Sequence, residues 1–325
     1  MTEPQIVKLE SRPEHLPTEV EKSSYWRQVL AETRSFLPRP PSVLWHYTSG
    51  DGLIGMLNSG SLWSTHVSCL NDAGEMNYAS SLLFDALRRQ ERNAADSSTE
   101  AQFLQFVLSG DSSGSALGSN VFVACLTEKD DDLSQWRGYA GGEGGYAIGF
   151  NTDWLMFGVH EEHRRSIFRV NYDAASHHAL AERMAASTVS NFMMGLEARR
   201  HLPDGAWAQG FLPTWSDIIT WLGPAIKHPA FIGESEWRFM HRLTEQDYKK
   251  LVFRQRRSMM ARHFPLRFPA QSNPDGPLLP ISHIRVGPSP HRHVSVESVR
   301  NMLRACGYSA EQVAVDASSI PFQSL

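Results

Sequence analysis

The feature that most constrains this fold is an irregular alternation of short apolar segments with helical ones. Val121 to Leu126 and Gly145 to Phe150 are rich in the residues typical of strands. Helix signals lie between such segments, including a capping-box-like pair at Asp72 and Glu75. Because strands and helices do not repeat as regular βαβ units, the sequence predicts an α+β fold with a mixed or antiparallel sheet.

The chain of 325 residues is long enough for one large domain or two modest ones. Residues 1–41 are polar and end in a Pro-rich stretch, so we expect an N-terminal extension with a short helix near Tyr25 to Thr33. Residues 42–325 then form a single α+β domain. Helical patterns predict an insertion around residues 174–228, and Gln246 to Arg262 is predicted to be helical or mixed.

Composition excludes several classes of protein. The net charge is −4 and the pI about 6.4, so no general basic field draws the whole molecule to nucleic acid. Three widely spaced cysteines without a CxxC pair indicate neither a zinc ribbon nor a disulfide framework. We find no signal peptide and no apolar stretch of the ~18 residues that a membrane helix needs. The expected location is cytoplasmic, without a membrane partner.

The run Glu234-Ser235-Glu236-Trp237-Arg238 places charged residues at alternate positions. In a strand, Glu234, Glu236 and Arg238 would share one face, and Trp237 would lie on the other. Two carboxylates at that spacing shift each other's pKa unless solvent or a cation intervenes, and Arg238 is the candidate cation. The run therefore predicts either a paired-carboxylate site or an ion-pair ladder on a solvated strand face.

Aromatic residues accompany a histidine near the start of the predicted core. His46 and Tyr47 lie in a β-rich run, where the imidazole could hydrogen-bond a sugar hydroxyl while rings stack on a flat ligand. The same pattern fits a satisfied histidine in the core. Further along, Thr127 precedes Tyr139 and Tyr146, whose rings could clamp a nicotinamide or a nucleobase, or pack within the core.

Histidines are numerous, but their spacing does not form a set of metal ligands. His283, His291 and His293 are close in sequence, and the last two lie in a Pro-rich segment with no carboxylate nearby. Structural zinc sites need four converging ligands and catalytic ones need three. We therefore predict no metal site.

One dense group of basic residues runs from Arg254 to Arg267, after Lys249 and Lys250. If this segment is helical, the group forms either a solvated helix face or a surface for an anionic partner.

Ten short motifs follow one another in order between residues 43 and 322. They are Leu44–Thr48, Gly60–Ser64, Leu70–Asp72, Cys125–Thr127, Gln135–Tyr139, Gly145–Phe150, Lys227–Phe231, Glu234–Arg238, Ile284–Pro288 and Ser318–Phe322. This series resembles the bacterial family known as domain of unknown function 2971. The family name itself supplies no activity.

The order of a strand histidine, a middle strand with a hydroxyl and a late strand with two glutamates also resembles the ADP-ribosyltransferase fold. That resemblance implies NAD as the substrate. His46 would hold the ribose, and Thr127 would occupy the middle-strand hydroxyl position. Tyr139 or Tyr146 would flank the nicotinamide, and Tyr47 completes the implied aromatic wall.

The resemblance also implies roles for the two glutamates. Cleaving the bond between nicotinamide and ribose builds an oxocarbenium-like cation, which Glu236 would stabilise as the catalytic glutamate. Glu234 would orient or deprotonate the incoming acceptor. Arg238 completes the implied NAD-binding set.

Three functions are compatible with these residues. The first is NAD-dependent ADP-ribosyl transfer to an unknown acceptor, protein or nucleic acid, or NAD hydrolysis at the same site. It predicts that His46, Glu234 and Glu236 converge in one cleft.

The second function is that of a non-catalytic module that binds a nucleotide or nucleic acid in bacterial defence or stress. It predicts that the glutamates face solvent or pair with arginines, and that Arg254 to Arg267 is the working surface. The third is a hydrolase that uses the same carboxylates on another substrate.

Overall fold

The architecture is a ten-stranded sheet with helices on both faces. The computed structural model describes residues 39–70, 74–109, 120–139, 144–161, 165–202, 206–256, 259–268, 278–309 and 311–321. The strands are β1 (Val43–Thr48), β2 (Leu62–His66), β3 (Val121–Thr127), β4 (Tyr146–Asn151), β5 (Arg165–Arg169), β6 (Glu236–Arg242), β7 (Val252–Arg256), β8 (Met259–Leu266), β9 (Ile281–Val286) and β10 (Ala314–Ala317).

Eight α-helices lie between these strands in the described ranges. They are α1 (Gly50–Ser59), α2 (Gly74–Asn93), α3 (Thr99–Ser109), α4 (Leu133–Tyr139), α5 (Thr152–Glu161), α6 (Ala174–Glu197), α7 (Ala206–Ala225) and α8 (Arg292–Ala305). Two of them, α6 and α7, occupy the predicted helical insertion between β5 and β6. Asp173 begins α6 as its N-cap, because its carboxylate accepts a hydrogen bond from the Ser176 backbone N–H at 2.9 Å.

The sheet is mostly antiparallel. Its strand order is β10-β9-β4-β1-β3-β2-β8-β7, and β6 pairs with both β3 and β5. Among these strand pairs, β9 and β10 alone are parallel. One edge of β3 pairs along its whole length with β6, and the other edge is shared by β1, at Thr127, and β2, at Val123. The prediction of an α+β fold with a mixed or antiparallel sheet is therefore confirmed.

Each face of the sheet carries its own apolar cluster. On one face, α2, α3, α6 and α7 pack against β3 and β6, with Leu83, Phe211 and Met240 fully buried. On the other face, α1 and α8 contribute side chains to a second cluster, which includes Trp237 and Phe239. Full burial of one such side chain stabilises the fold by about 1.5–3 kcal/mol. Residues of β6 alternate between the two clusters, as the period-2 pattern around Trp237 predicts.

Of the two predictions for Gln246 to Arg262, helical or mixed, the mixed one is correct and the helical one is wrong. A short 3-10 helix over Glu245–Lys250 is followed by β7 and β8, which form an antiparallel hairpin at the end of the sheet. Lysine and arginine favour helices, but β8 also pairs with β2 from Leu62 to Thr65. Such cross-strand packing overrides local propensity. The basic residues therefore belong to a hairpin rather than to a helix face.

Two other sequence predictions, the helix near Tyr25 to Thr33 and the capping residue Asp72, lie outside the described residues. Within the described ranges, no helix has both the length and the apolar character needed to cross a membrane.

Candidate functional site

Three neighbouring strands bring the predicted site residues together. Trp45 of β1 pairs with Thr127 of β3, and Thr127 pairs with Glu236 of β6. Directly paired residues of adjacent strands lie on the same face of a sheet. Trp45, Thr127 and Glu236 therefore share one face, close to the end of β3 and the start of β6.

Glu236 is buried and held by two cations. Arg238 Nε donates to Glu236 Oε1 at 2.8 Å, and Arg238 Nη2 donates to Oε2 at 3.0 Å, so the pair is bidentate. Lys227 Nζ lies 3.3 Å from Glu236 Oε2. Burial by itself raises the pKa of Glu236, but the Arg238 guanidinium, Lys227 and the Cys125 thiol lower that pKa to about 2. The carboxylate is therefore ionised at neutral pH, although only 5% of the residue is exposed.

Glu234 reaches the same lysine from a different element. It ends a 3-10 helix over Pro229–Glu234, and Ser235 follows in the left-handed region with φ 47°. The prediction that Glu234 lies on the strand face with Glu236 is wrong, because β6 begins only at Glu236. Lys227 Nζ nevertheless lies 2.6 Å from Glu234 Oε2, and the Glu234 side chain is 22% exposed. Glu234 is thus the carboxylate of the pair that meets solvent.

Lys227 joins the two glutamates. Its backbone N–H donates to the Asn171 carbonyl at 3.0 Å, which anchors the chain just before the 3-10 helix. Its ammonium lies 4.9 Å from the centroid of the Phe231 ring, within the range of a cation–π contact. With Arg238, this lysine balances the two carboxylates. Lys227, Glu234, Glu236 and Arg238 together form the Lys–Glu cluster.

Two tyrosines border the Lys–Glu cluster. The hydroxyl of Tyr172 accepts a hydrogen bond from the Glu236 backbone N–H at 3.1 Å. Burial is the main cause that raises the pKa of Tyr172, and the charge of Glu236 adds to it. The pKa of Tyr139 is raised chiefly by burial and further by Cys125 and both glutamates. Its ring packs against the apolar cluster of Trp45, Tyr47 and Trp136. Both phenols therefore remain protonated at neutral pH and can donate hydrogen bonds.

Thr127 fixes the junction between the 3-10 helix and β6. Its hydroxyl donates to the Glu234 carbonyl at 2.7 Å and accepts from the Lys129 backbone N–H at 3.2 Å. The residue is buried. The predicted middle-strand hydroxyl therefore positions the main chain of Glu234.

The remaining predicted residues divide between the two faces of the sheet. Tyr47 shares the face of Trp45, and its hydroxyl accepts a hydrogen bond from the Asp132 N–H at 3.0 Å. His46 and Tyr146 belong to the opposite face by strand alternation, and Tyr146 packs against the cluster of that face. The structure thus groups Glu234, Glu236, Thr127, Tyr139 and Arg238, and it assigns His46 and Tyr146 to the other side. The expectation that His46 converges with both glutamates in one cleft is therefore wrong, because His46 and Glu236 lie on opposite faces of the sheet.

One contact links His46 to the Lys–Glu cluster through β3. Its Nδ1 lies 2.8 Å from the Cys125 carbonyl oxygen, so this nitrogen carries the proton and donates. The side chain of the same Cys125 hydrogen-bonds Glu236. His46 and Glu236 therefore contact the same residue of β3.

A second polar group adjoins the Lys–Glu cluster. His177 of α6 is fully buried; its Nε2 donates to the Asn171 carbonyl at 2.9 Å, and its Nδ1 accepts from the Tyr78 hydroxyl at 2.9 Å. The Tyr78 ring also packs edge-on against His228, the residue after Lys227, with ring centroids 5.8 Å apart. Burial lowers the pKa of His177, so its ring is neutral at pH 7.

Sequence reasoning did not single out Lys227 or Tyr172. Lys227 is in one of the ordered motifs, but no regular strand or helix places residues seven and nine positions further on together on its own face. The 3-10 helix brings it back to them. Within the described ranges, no group of three or more His, Cys, Asp or Glu side chains is arranged to hold a metal ion.

The structure is that of a mixed α/β protein with a buried charged cluster. Comparison with known proteins finds a match to one family model. Residues 135–239 match the model of a family described as "Protein of unknown function (DUF2971)". This confirms the predicted resemblance to that family over a segment that contains Tyr139, Lys227 and both glutamates. No curated protein and no solved structure matches the chain. The resemblance to the ADP-ribosyltransferase fold stays a prediction.

Proposed function

We propose that this protein is an NAD-dependent enzyme of the ADP-ribosyltransferase type, which transfers ADP-ribose to an acceptor or to water at the Lys–Glu cluster. The observation that supports this most is the convergence of Glu234 and Glu236 on one lysine ammonium, that of Lys227. A second support is that Thr127 of β3 and Glu236 of β6 are directly paired, so the middle-strand hydroxyl and the buried glutamate lie side by side on one face.

The proposed reaction breaks the bond between ribose C1′ and the nicotinamide nitrogen. The bonding electrons leave with nicotinamide, which departs neutral, and positive charge develops on the ribose. A preorganised, ionised carboxylate in a water-poor site stabilises such charge. Glu236 meets this requirement, because its pKa is lowered to about 2 and two cations fix its orientation.

The second half of the proposed reaction forms a bond between ribose C1′ and the acceptor. The acceptor loses a proton, which a positioned base takes up. Glu234 is the carboxylate that faces solvent, so we assign it to the acceptor side. Phe231 and Ile232, two exposed apolar residues of the same 3-10 helix, would contact the acceptor there.

The test is nicotinamide release from NAD by the purified protein, measured with and without cell lysate. We expect Glu236→Gln to abolish release, because the amide cannot supply the negative charge. We expect Glu234→Gln to reduce transfer to an acceptor more than release. Glu297→Gln, on the exposed side of a salt bridge in α8, is the matched control and should behave as the wild type. Absence of release under both conditions, with no NAD binding by calorimetry, would contradict the proposal.

A second function, a non-catalytic nucleotide-binding module, is favoured by one observation. Both oxygens of Glu236 already bind cations, and the residue is buried, as a purely structural ion pair would be. The same assay separates the two functions. NAD binding that persists in Glu236→Gln, without nicotinamide release from any variant, would support the binding module.

A further inference from the structure

The charge of the chain is unevenly distributed. Residues 245–267 contain seven basic and two acidic residues, a net charge of +5, whereas the whole chain carries −4. The rest of the molecule is therefore strongly acidic. These residues form the 3-10 helix Glu245–Lys250 and the hairpin of β7 and β8, which together are called the basic hairpin below.

The basic hairpin lies away from the Lys–Glu cluster. It joins the sheet through β2, which meets β3 at Val123 and Phe122, whereas Glu236 meets β3 at the other end, at Thr127. Substitutions on exposed positions of the hairpin should therefore leave the cluster unchanged.

Apolar side chains on the basic hairpin are exposed. Phe253 and Met260 share one face of the hairpin and are 55% and 65% exposed. Tyr248, in the 3-10 helix before β7, is also exposed. Exposed aromatic rings on a strongly basic hairpin of an acidic chain indicate a surface that binds a partner. In β7, Phe253 is followed by two arginines, Arg254 and Arg256.

Two guanidinium groups of the basic hairpin are already oriented. Arg254 Cζ lies 3.6 Å from the centroid of the Trp63 ring, so the guanidinium stacks on the indole. Arg262 Nη2 donates to Ser68 Oγ at 2.9 Å and to His66 Nδ1 at 3.0 Å. Preorientation reduces the side-chain entropy that is lost when a phosphate binds.

We propose that the basic hairpin binds single-stranded nucleic acid. Its positive charge complements the phosphodiester backbone, and the exposed rings provide stacking platforms for unpaired bases. The net charge of +5 favours an anionic chain over a protein partner, because charged residues are depleted in the core of protein interfaces. A duplex is disfavoured, because its bases are already stacked and cannot cover the Phe253 ring.

Fluorescence anisotropy of a labelled oligothymidylate of about 20 nucleotides tests this proposal, with an expected Kd of about 1–100 μM at physiological salt. Phe253→Ala should weaken binding at least about fivefold, which is the lower range for loss of one base–aromatic stack. The double variant Lys249→Gln/Arg267→Gln should lower the slope of log K against log salt by about 1.4, because each lost phosphate contact contributes about 0.7.

The matched controls lie on other elements. Val294→Ala removes an exposed apolar side chain from α8, and Arg88→Gln removes an exposed cation from α2; both should bind as the wild type. The proposal is overturned by no binding up to about 100 μM, by hairpin variants that bind as the wild type, or by tighter binding of a duplex of equal length. Nicotinamide release, measured in parallel, should not change in the hairpin variants, so this outcome is independent of the NAD chemistry.

Discussion

Arg238 and Glu236, two residues apart on β6, form a bidentate pair inside the protein, with N–O distances of 2.8 and 3.0 Å. Neighbours at i and i+2 on a strand share a face, so the sequence itself brings the two side chains together. Arg238 also donates to the Pro224 carbonyl at 3.0 Å, which connects the pair to the end of α7. Arg238 thus fixes the orientation of the Glu236 carboxylate and connects the helical insertion to the sheet by a hydrogen bond.

Removal of Arg238 should destabilise the fold more than removal of the whole pair. Arg238→Met leaves the Glu236 carboxylate buried with Lys227 as its remaining cation in the Lys–Glu cluster, and we expect a loss of about 3–5 kcal/mol of unfolding free energy. The double variant Arg238→Met/Glu236→Leu should lose less, because no uncompensated charge remains. Urea denaturation of both measures the difference, and a double variant as destabilised as Arg238→Met would contradict the expectation.

The pH dependence of the unfolding free energy should reveal the lowered pKa of the Glu236 carboxyl group. Burial raises its pKa, but Arg238, Lys227 and Cys125 lower that pKa to about 2 in the folded protein, below the ~4.3 of an unfolded chain. A depressed folded pKa contributes stability that is complete above about 4.3 and is lost as the pH falls through about 2. The urea midpoint of the wild type should therefore fall more steeply than that of Glu236→Gln between about pH 5 and pH 2. Equal slopes would show that Glu236 does not titrate in this window.

Tyr78→Phe should destabilise the protein through His177. The substitution removes the hydrogen bond to Nδ1 of a fully buried imidazole, and an unsatisfied buried acceptor costs about 1–3 kcal/mol. Tyr248→Phe, at an exposed tyrosine, should change stability by no more than about 0.5 kcal/mol. Thermal unfolding of the two variants side by side is the measurement. A similar small effect for both would mean that water satisfies His177 equally well.

Two glycines in helices should respond to alanine in opposite directions. A Cβ at Gly195 of α6 would overlap the Trp207 ring, so Gly195→Ala forces α6 and α7 apart and should cost about 1–3 kcal/mol. A Cβ at Gly138 of α4 meets nothing within 4 Å, and Gly138→Ala should be neutral or stabilise by up to about 1 kcal/mol. Chemical denaturation compares them, and a destabilised Gly138→Ala would refute the steric reasoning.

The strands were the part of the fold that the sequence predicted best. Val121 to Leu126 and Gly145 to Phe150 are β3 and β4 within a residue or two, because dense apolar and β-branched residues are a local signal. At Gln246 to Arg262 the sequence left helical and mixed structure open, and the helical alternative was wrong. The hairpin forms there because β8 pairs with β2, almost 200 residues away in the chain.

The candidate site was predicted only in part, because local periodicity accounts for some of its residues and not for others. Glu236, Arg238 and the opposite orientation of Trp237 follow from the two-residue period of a strand. Glu234 was misplaced, because the left-handed turn at Ser235 has no strong signal when the residue is not glycine or asparagine.

The amino-acid sequence by itself determined the class of fold and the pairing of Glu236 with Arg238, since both depend on periodicity within a few residues. Only the tertiary structure decided that Lys227 joins both glutamates and that His46 and Tyr146 lie on the face opposite Glu236. Which residues meet across strands depends on register and strand order. Those are set by packing between segments far apart in the chain, which no local pattern encodes.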